Sequence, residues 1–317
     1  MNTALQDLAP YIAGRRRAKG HAGGAVPAVA PAASHGKRGY LRLGFELDSR
    51  GRSILRDLER RAPLIVQQEL YFDECWPDLP CVYILSSGGP NVDGDRYEQH
   101  FDVRRNACTH ISTGAATKLA EMRRDYSSLR QTFRLEEGAY MEFLPEPVIP
   151  CRHTRFAAVT DIEIDPSATL FYSEIYMGGR HRFGAGEMFD YDILSVCTRA
   201  RRPDGEPLFR EKFVVRPHES PLSTVGVMGG SSVFANAVVL TPRHHADALC
   251  EGSAAFTFAD RGEGTAAGVT RLPDGCGVIL KVLSRETEPA KRIVRRFCSA
   301  VRRQVKGRPL SDDFPWR

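Results

Sequence analysis

Tyr140-Met141-Glu142-Phe143-Leu144-Pro145 opens the central stretch of this sequence, and Gly178-Gly179-Arg180-His181-Arg182-Phe183-Gly184-Ala185-Gly186-Glu187-Met188-Phe189 closes it. The stretch is typical of β-strands separated by glycine turns, because aromatic and branched residues favour strands and glycine favours tight turns. It also carries acidic residues, yet no nucleophile or metal-binding motif accompanies them. These features indicate a β-sheet protein that handles a ligand without transforming it.

The same pattern of short strands extends outward from this stretch in both directions. Residues 39–47 alternate apolar and polar side chains with period two, as a half-buried strand does, and turn formers such as Pro203-Asp204-Gly205 separate most of the segments. The predicted strands cover residues 39–47, 63–68, 81–85, 97–103, 107–112, 128–135, 140–144, 154–164, 169–177, 188–200, 206–215 and 232–239. Regular short strands of this kind predict a mainly β fold.

Two helices are predicted near the C-terminus. Thr241-Pro242 offers a capping residue and a first-turn proline for a helix over residues 243–250. A longer helix over residues 288–306 carries a repeating apolar stripe, and its arginines, including Arg302, are placed largely on the other side. A basic amphipathic helix suits an acidic partner or a membrane surface, but docking of its apolar stripe on the sheet is favoured.

The N-terminal segment differs from the rest of the chain. Arg15-Arg16-Arg17 precedes a run rich in alanine, proline and glycine over residues 20–36, which has no periodicity and few large side chains to bury. The arginine triplet is consistent with a targeting or polyanion signal, but a solvated tail is favoured. We therefore predict a disordered tail over residues 1–37 and a single β-rich domain over residues 38–317.

Composition excludes several classes of function. The 317 residues are 42% hydrophobic with a net charge of +5, and the 44 basic residues are spread among 39 acidic ones, so no basic face for nucleic acid is indicated. None of the eight cysteines forms a C-x-x-C pair. No segment approaches the roughly 18 apolar residues of a membrane span, and no export signal is visible. The sequence predicts a cytoplasmic protein with reduced thiols that binds neither nucleic acid nor membrane.

Motifs for catalysis are lacking. The glycine-rich loops at residues 88–95 and 226–232 do not meet the templates of a phosphate-binding or dinucleotide-binding loop, and no G-x-S-x-G elbow or H-E-x-x-H helix is present. Glu142, Glu174 and Glu187 supply carboxylates from which a hydrolytic pair is conceivable, but most β proteins contain as many. A metal-dependent hydrolase on an all-β fold therefore stays as an alternative, and a generic β-rich binding module is a third.

Scattered carboxylates suggest a different use of metal. Oxygen ligands that line a water-filled passage bind a divalent cation loosely and release it quickly. The candidates are Asp95, Glu142, Glu174 and Glu187, although each of them also suits a structural ion pair or a turn hydrogen bond. The sequence thus predicts transient metal contact rather than a tightly bound cofactor.

Several segments together resemble one family, the urease accessory protein UreD, also called UreH. The matching pieces, in the order and roughly the spacing of the family, are Pro63 to Tyr71, Gly88-Gly89 with Gly94-Asp95, Thr113 to Lys118, Glu137 to Pro145 with Pro147 to Pro150, Gly179-Arg180 with Gly186 to Phe189, Ala267 to Pro273, and Gly307 to Pro309 before Trp316. The resemblance covers about residues 38–317, and the combination is more specific than any one piece.

The resemblance implies an accessory protein and not an enzyme. Members of the family join UreF and the GTPase UreG on urease apoenzyme and help to place nickel in its active site, without a small-molecule substrate of their own. It further implies an elongated all-β scaffold with a couple of helices and an internal passage for nickel. Asp95, Glu142, Glu174 and Glu187 are then passage or interface positions, and either Arg180 or Arg182 is the structural arginine of the glycine-marked loop.

Overall fold

The computed structural model describes residues 3–14, 36–260, 262 and 264–314, and within them β-strands predominate. The strands are, in chain order, β1 Arg38–Leu47, β2 Ser53–Arg61, β3 Leu64–Ile65, β4 Cys81–Ser86, β5 Arg96–Val103, β6 Cys108–Thr113, β7 Thr117–Leu119, β8 Ser127–Leu135, β9 Tyr140–Leu144, β10 Val148–Pro150, β11 Arg155–Ile164, β12 Thr169–Met177, β13 Ile193–Arg201, β14 Pro207–Val215, β15 Val233–Leu240, β16 Phe258–Asp260, β17 Thr265–Arg271 and β18 Gly277–Ser284. The helices are α1 Thr3–Gln6, α2 Arg243–Glu251 and α3 Thr287–Lys306. The prediction of a mainly β fold with two helices near the C-terminus is confirmed.

The strands form two sheets that face each other. A seven-stranded sheet has the order β14-β13-β11-β8-β5-β1-β2, and an eleven-stranded sheet has the main order β16-β17-β18-β15-β12-β9-β6-β4-β3, with β7 and β10 beside it. Many neighbours are parallel, for example β5 with β8 and β6 with β9. The chain reaches a parallel neighbour by crossing to the facing sheet and back, so a strand takes the place of the usual crossover helix.

The first core lies between the sheets and is rich in aromatic rings. Phe101 and Phe133 of the seven-stranded sheet lie 4.9 Å apart, and Phe143 stacks on Tyr172 of the eleven-stranded sheet at 5.7 Å. Phe133 also meets Tyr172 edge-on at 5.5 Å, which joins the two sheets. Aromatic pairs at these separations add to the free energy gained from burial alone.

The second core lies on the outer face of the eleven-stranded sheet, under α3. Val294, Phe297 and Val301 of this helix are buried, and Phe297 lies 6.0 Å from Phe171 of β12. The helix ends at Gly307, whose φ of 70° is the left-handed conformation that closes many helices. The apolar stripe of α3 therefore docks on the sheet. Arg302 was predicted to lie with the other arginines opposite the apolar stripe, but its side chain is completely buried.

Some strands differ from their predicted positions. The predicted strand over 188–200 begins only at Ile193, since a loop runs through residues 178–192. Strand β2 was not predicted because it is an edge strand whose face is mostly exposed and charged. Strands β17 and β18 were not predicted either; β18 is buried on both faces and therefore lacks alternation.

The N-terminal segment contains structure that its composition did not predict. Residues 3–14 form two helical turns, and Leu8 and Tyr11 are buried against the seven-stranded sheet. Asp7 accepts a hydrogen bond from Ser195 at 2.7 Å and pairs with Lys212 at 2.7 Å. The arginine triplet and the rest of the predicted tail, residues 15–35, lie outside the described residues. The division into a tail of residues 1–37 and one domain of residues 38–317 stays a prediction.

Candidate functional site

The four acidic candidates do not converge on one site. Asp95 is fully buried at the start of β5, where it accepts hydrogen bonds from the backbone N–H groups of Lys37 at 2.7 Å and Val92 at 2.9 Å. The ammonium of Lys37 lies 2.8 Å away, and Tyr97 donates to the same carboxylate at 3.2 Å. These contacts occupy both oxygens, so Asp95 organises the turn that precedes β5.

Glu142 is the centre of a buried ion network. Arg302 of α3 donates to both of its oxygens at 2.6 Å, and Tyr140 donates to one of them at 2.6 Å. His110 Nδ1 lies 2.9 Å from the other, and Arg302 also pairs with buried Asp73. Burial alone would raise the pKa of Glu142, but the guanidinium of Arg302 reverses this effect and holds that pKa well below its ordinary value.

Strand register explains why Glu142 and Glu174 cannot act as a pair. Glu142 stands opposite Phe171 in the register of β9 and β12, and both side chains point to the α3 side of the sheet. Glu174 lies on the inner face with Tyr172, because its position differs from that of Phe171 by an odd number of residues. The carboxylates are on opposite faces, which removes the hydrolytic pair that these two residues were considered to offer.

Glu187 is held by an arginine of the same loop. Arg180 Nε and Nη2 donate to its two oxygens at 2.7 and 2.5 Å, and the Arg180 guanidinium lies 3.6 Å from the centre of the Phe183 ring. This ion pair lowers the pKa of Glu187. Of the two arginines considered for the structural position, Arg180 makes these contacts, whereas Arg182 is exposed.

The absence of a side chain at Gly179 lets the two ends of this loop approach each other closely. An added Cβ there would lie 1.9 Å from the carbonyl oxygen of Glu187, and the backbone has a φ of 151°. No side chain can enter that space. The spacing between Gly179-Arg180 and Gly186-Glu187 in the sequence thus corresponds to a loop whose two ends are joined by one bidentate ion pair.

Glu174 is the candidate that faces an open volume. A cavity of about 570 Å³ lies between the two sheets, and its wall includes Tyr97, Gln131, Tyr172 and Glu174. Exposed residues of the loops after β4 and β6, among them Gly89, Pro90 and Ala115, form its outer end. The cavity is therefore reachable from solvent at the end that carries the Gly-Gly-Pro turn.

One oxygen of Glu174 is available to a ligand. Tyr172 and Tyr176 donate to Oε1 at 2.6 and 3.4 Å, whereas Oε2 is buried and accepts no hydrogen bond from any described residue. Burial raises the pKa of Glu174 to about 7. A buried acceptor without a donor is costly unless a water, proton or cation satisfies it.

Polar groups around Glu174 line the cavity without neutralising it. Gln131 donates to Gln99 at 2.9 Å and accepts from Thr160 at 3.3 Å, and the hydroxyl of Tyr172 lies 3.0 Å from that of Thr160. The sequence-based reading missed these neighbours. The spacing Tyr172-x-Glu174-x-Tyr176 was the available signal, since period two places all three on one face.

Comparison with known proteins identifies the family. The family model described as "UreD urease accessory protein" matches residues 37–317. "Urease accessory protein UreD 2" of Brucella suis biovar 1 (strain 1330) is 43% identical over 290 residues, which are 92% of this chain and 95% of that protein. The urease accessory proteins UreD of Photorhabdus laumondii and Yersinia pseudotuberculosis are 42% and 41% identical, over 89% and 92% of this chain and 87% and 90% of theirs.

The match over nearly all of the chain settles the class. This chain belongs to the UreD urease accessory protein family, and its role is that of an accessory protein rather than a catalyst. Among the helices that the structure describes, none is long and apolar enough to cross a membrane. The eight cysteines are all free thiols.

Proposed function

We propose that this chain acts in urease maturation together with UreF and the GTPase UreG, docks on urease apoenzyme and assists the insertion of nickel into its active site. Family membership supports the maturation role, and the cavity between the sheets supports a role for the chain in handling the metal. The nickel ion is the cargo in this proposal and not a resident cofactor.

The single observation that carries the nickel proposal is the free oxygen of Glu174. It lies in a cavity that solvent reaches, and its carboxyl group loses its proton near neutral pH. One carboxylate with tyrosine and glutamine neighbours gives a cation few ligands, so binding is weak and release is fast. These properties suit a cation that stays only briefly.

The other three acidic candidates, Asp95, Glu142 and Glu187, are not assigned as nickel ligands in this proposal. Their oxygens are engaged by Lys37, Arg302 and Arg180, respectively, so a cation would first have to displace a bound positive charge. We assign them to the architecture around the cavity and retain Glu174 as the transit ligand.

The test is co-expression of urease with its accessory proteins, with and without this chain. The nickel content and activity of the purified urease are expected to fall when the chain is omitted. The variant Glu174→Gln is expected to lower both while the accessory complex still co-purifies with urease. Glu163→Gln, which removes a half-buried partner of Arg201 on the outer side of β11, serves as the matched control. Full activation without the chain at ordinary nickel concentration would refute the proposal.

The hydrolase alternative receives no support from the geometry. It requires three converging ligands with an open coordination position. In the described ranges, the structure brings together no group of three or more histidine, cysteine, aspartate and glutamate side chains able to hold a metal.

A further inference from the structure

The outer face of the seven-stranded sheet carries an apolar patch near its β14 end. The members of this patch, here called the β13 patch, are Ala157, Val159, Ile193, Cys197 and Val214. They share one face because, within each of β11 and β13, they are separated by an even number of residues, and because the three strands are in register. The next row on the same face is charged and consists of Arg210, Arg199 and Asp161. The β13 patch is therefore bounded by charged residues on that side.

Residues 3–14, here called the arm, cover the β13 patch with one helical face. Ala4 and Leu8 of the arm are completely buried and Tyr11 is 9% exposed, and all three belong to the same apolar cluster as the patch. Together with Asp7 they have the spacing i, i+3, i+4 and i+7, which places side chains on one face of a helix. Ala9 lies on the other side and is exposed. The β13 patch thus accommodates a short amphipathic helix.

Two polar groups beside these apolar residues converge on a single carboxylate oxygen of the arm. The hydroxyl of Ser195 donates to Asp7 Oδ2 at 2.7 Å, and the ammonium of Lys212 lies 2.7 Å from the same oxygen. Ser195 is completely buried and stands between Val214 and Ala157 in the register of the sheet. A buried hydroxyl that loses its acceptor is costly, so the site favours an occupant with a carboxylate at this point. Shape and charge together therefore select an amphipathic helix that carries an acidic residue.

The contact between the arm and the sheet is small. Besides the apolar side chains and Asp7, it includes a hydrogen bond from Arg155 Nη1 to the carbonyl oxygen of Tyr11 at 3.3 Å. A separate peptide that makes only these contacts is expected to bind with a dissociation constant of about 0.1 mM. The arm also precedes the part of the chain that matches the family, which begins at residue 37, whereas the β13 patch lies inside that part.

We propose that the β13 patch is a docking surface for an acidic amphipathic helix of a partner protein, and that the arm occupies it as a tethered competitor. Residues 15–35 connect the arm to β1, and a tether holds its ligand at an effective concentration of about 1 mM. With a dissociation constant of about 0.1 mM, the arm closes the patch in about nine molecules of ten. A partner helix binds by displacing the arm. The proposal concerns a different face of the molecule from the cavity and does not depend on nickel handling.

The experiment measures binding of a fluorescently labelled peptide with the sequence of residues 1–14 to the full-length chain by fluorescence anisotropy. Leu8→Asp in the chain places a charge in the apolar contact and releases the arm while the β13 patch stays unaltered. This variant is expected to bind the peptide about tenfold more tightly than the unaltered chain, because the competitor is removed. Ala9→Asp adds the same charge on the exposed side of the arm and is the matched control, with the affinity of the unaltered chain expected.

A second pair of changes tests the carboxylate contact. Lys212→Glu added to Leu8→Asp is expected to weaken peptide binding at least tenfold, and a peptide with Asp7→Asn is expected to bind more weakly to Leu8→Asp alone. Asp7→Lys in the chain releases the arm by repulsion from Lys212 and replaces Leu8→Asp if that variant does not fold.

Three results would overturn the proposal. They are equal peptide affinity for the released and unaltered chains, unchanged affinity after Lys212→Glu, and dimerisation of the released chain without peptide binding, which would identify a second copy as the occupant. The measurement requires neither urease nor nickel. Its failure is therefore distinct from a failure of the maturation role, which the co-expression experiment tests.

Discussion

Substitution of Arg302 by methionine tests whether the buried ion network fastens α3 to the sheet. Arg302 is bonded to both oxygens of Glu142 and paired with Asp73, and the side chains of all three are completely buried. Removal of one partner from a buried ion pair costs about 3–5 kcal/mol, because the remaining charge stays desolvated. Two carboxylates lose their partner here, so we expect a loss at the upper end, about 5 kcal/mol.

The assay is urea unfolding followed by circular dichroism, with Arg303→Met as the control. Arg303 is exposed on the same helix, and a surface change of this kind shifts the free energy of unfolding by about 0.5 kcal/mol or less. Addition of Asp73→Asn and Glu142→Gln to Arg302→Met is expected to recover much of the loss, since no buried charge then remains unpaired. A loss below about 1 kcal/mol for Arg302→Met alone would refute the reasoning.

Three further predictions concern the cavity, the loop and the outer core. The pKa of Glu174 is raised from 4.5 to about 7, so its stabilising contribution is complete below pH 4.5 and is lost as the pH rises through 7. Glu174→Gln should remove this fall in the free energy of unfolding, measured in urea between pH 5 and 8. An unchanged dependence on pH would contradict the assignment. Gly179→Ala should lower the melting temperature and speed proteolysis within residues 178–189, whereas Gly184→Ala, where an added Cβ meets nothing within 4 Å, should have a smaller effect. Phe297→Ala should cost about 3–5 kcal/mol in the free energy of unfolding, measured in urea, and a much smaller value would mean that α3 is loosely packed.

The strands around the site were predictable from alternation in β5 and β8 and from the aromatic residues of β12, which is buried on both faces. Residues 97–103, 128–135 and 169–177 alternate or carry aromatic residues and appear as β5, β8 and β12 with nearly those bounds. Strand β18 was missed because the run Val278-Ile279-Leu280 is buried on both sides, and an apolar run without alternation fits a helix as well.

The site itself was predictable only in part. The sequence pointed to Glu142 and Glu174 as acidic residues of interest, but it could not show that they face opposite sides of one sheet, because that depends on strand register. Arg302 was expected on the solvent side, since buried arginine is rare and its partners Glu142 and Asp73 are distant in the chain. Sequence patterns indicate contacts between residues that are close in the chain, whereas the cavity is formed by residues that are distant in the chain and that strand pairing brings together.

The winding of the chain between the two sheets has a consequence for folding. Arg96 pairs with Ser128 and Cys108 with Tyr140, so each of these two parallel pairings joins residues roughly thirty positions apart. Such pairings must close long loops before they gain contacts, which makes folding slow compared with a protein of local hairpins. When the ribosome has synthesised the chain as far as β9, the strands β8 and β9 are unpaired edges of the two sheets. Unpaired edges can pair with strands of other chains until β11 and β12 are made and cover them. Synthesis of the second half of the chain therefore sets how long the first half is at risk of aggregation.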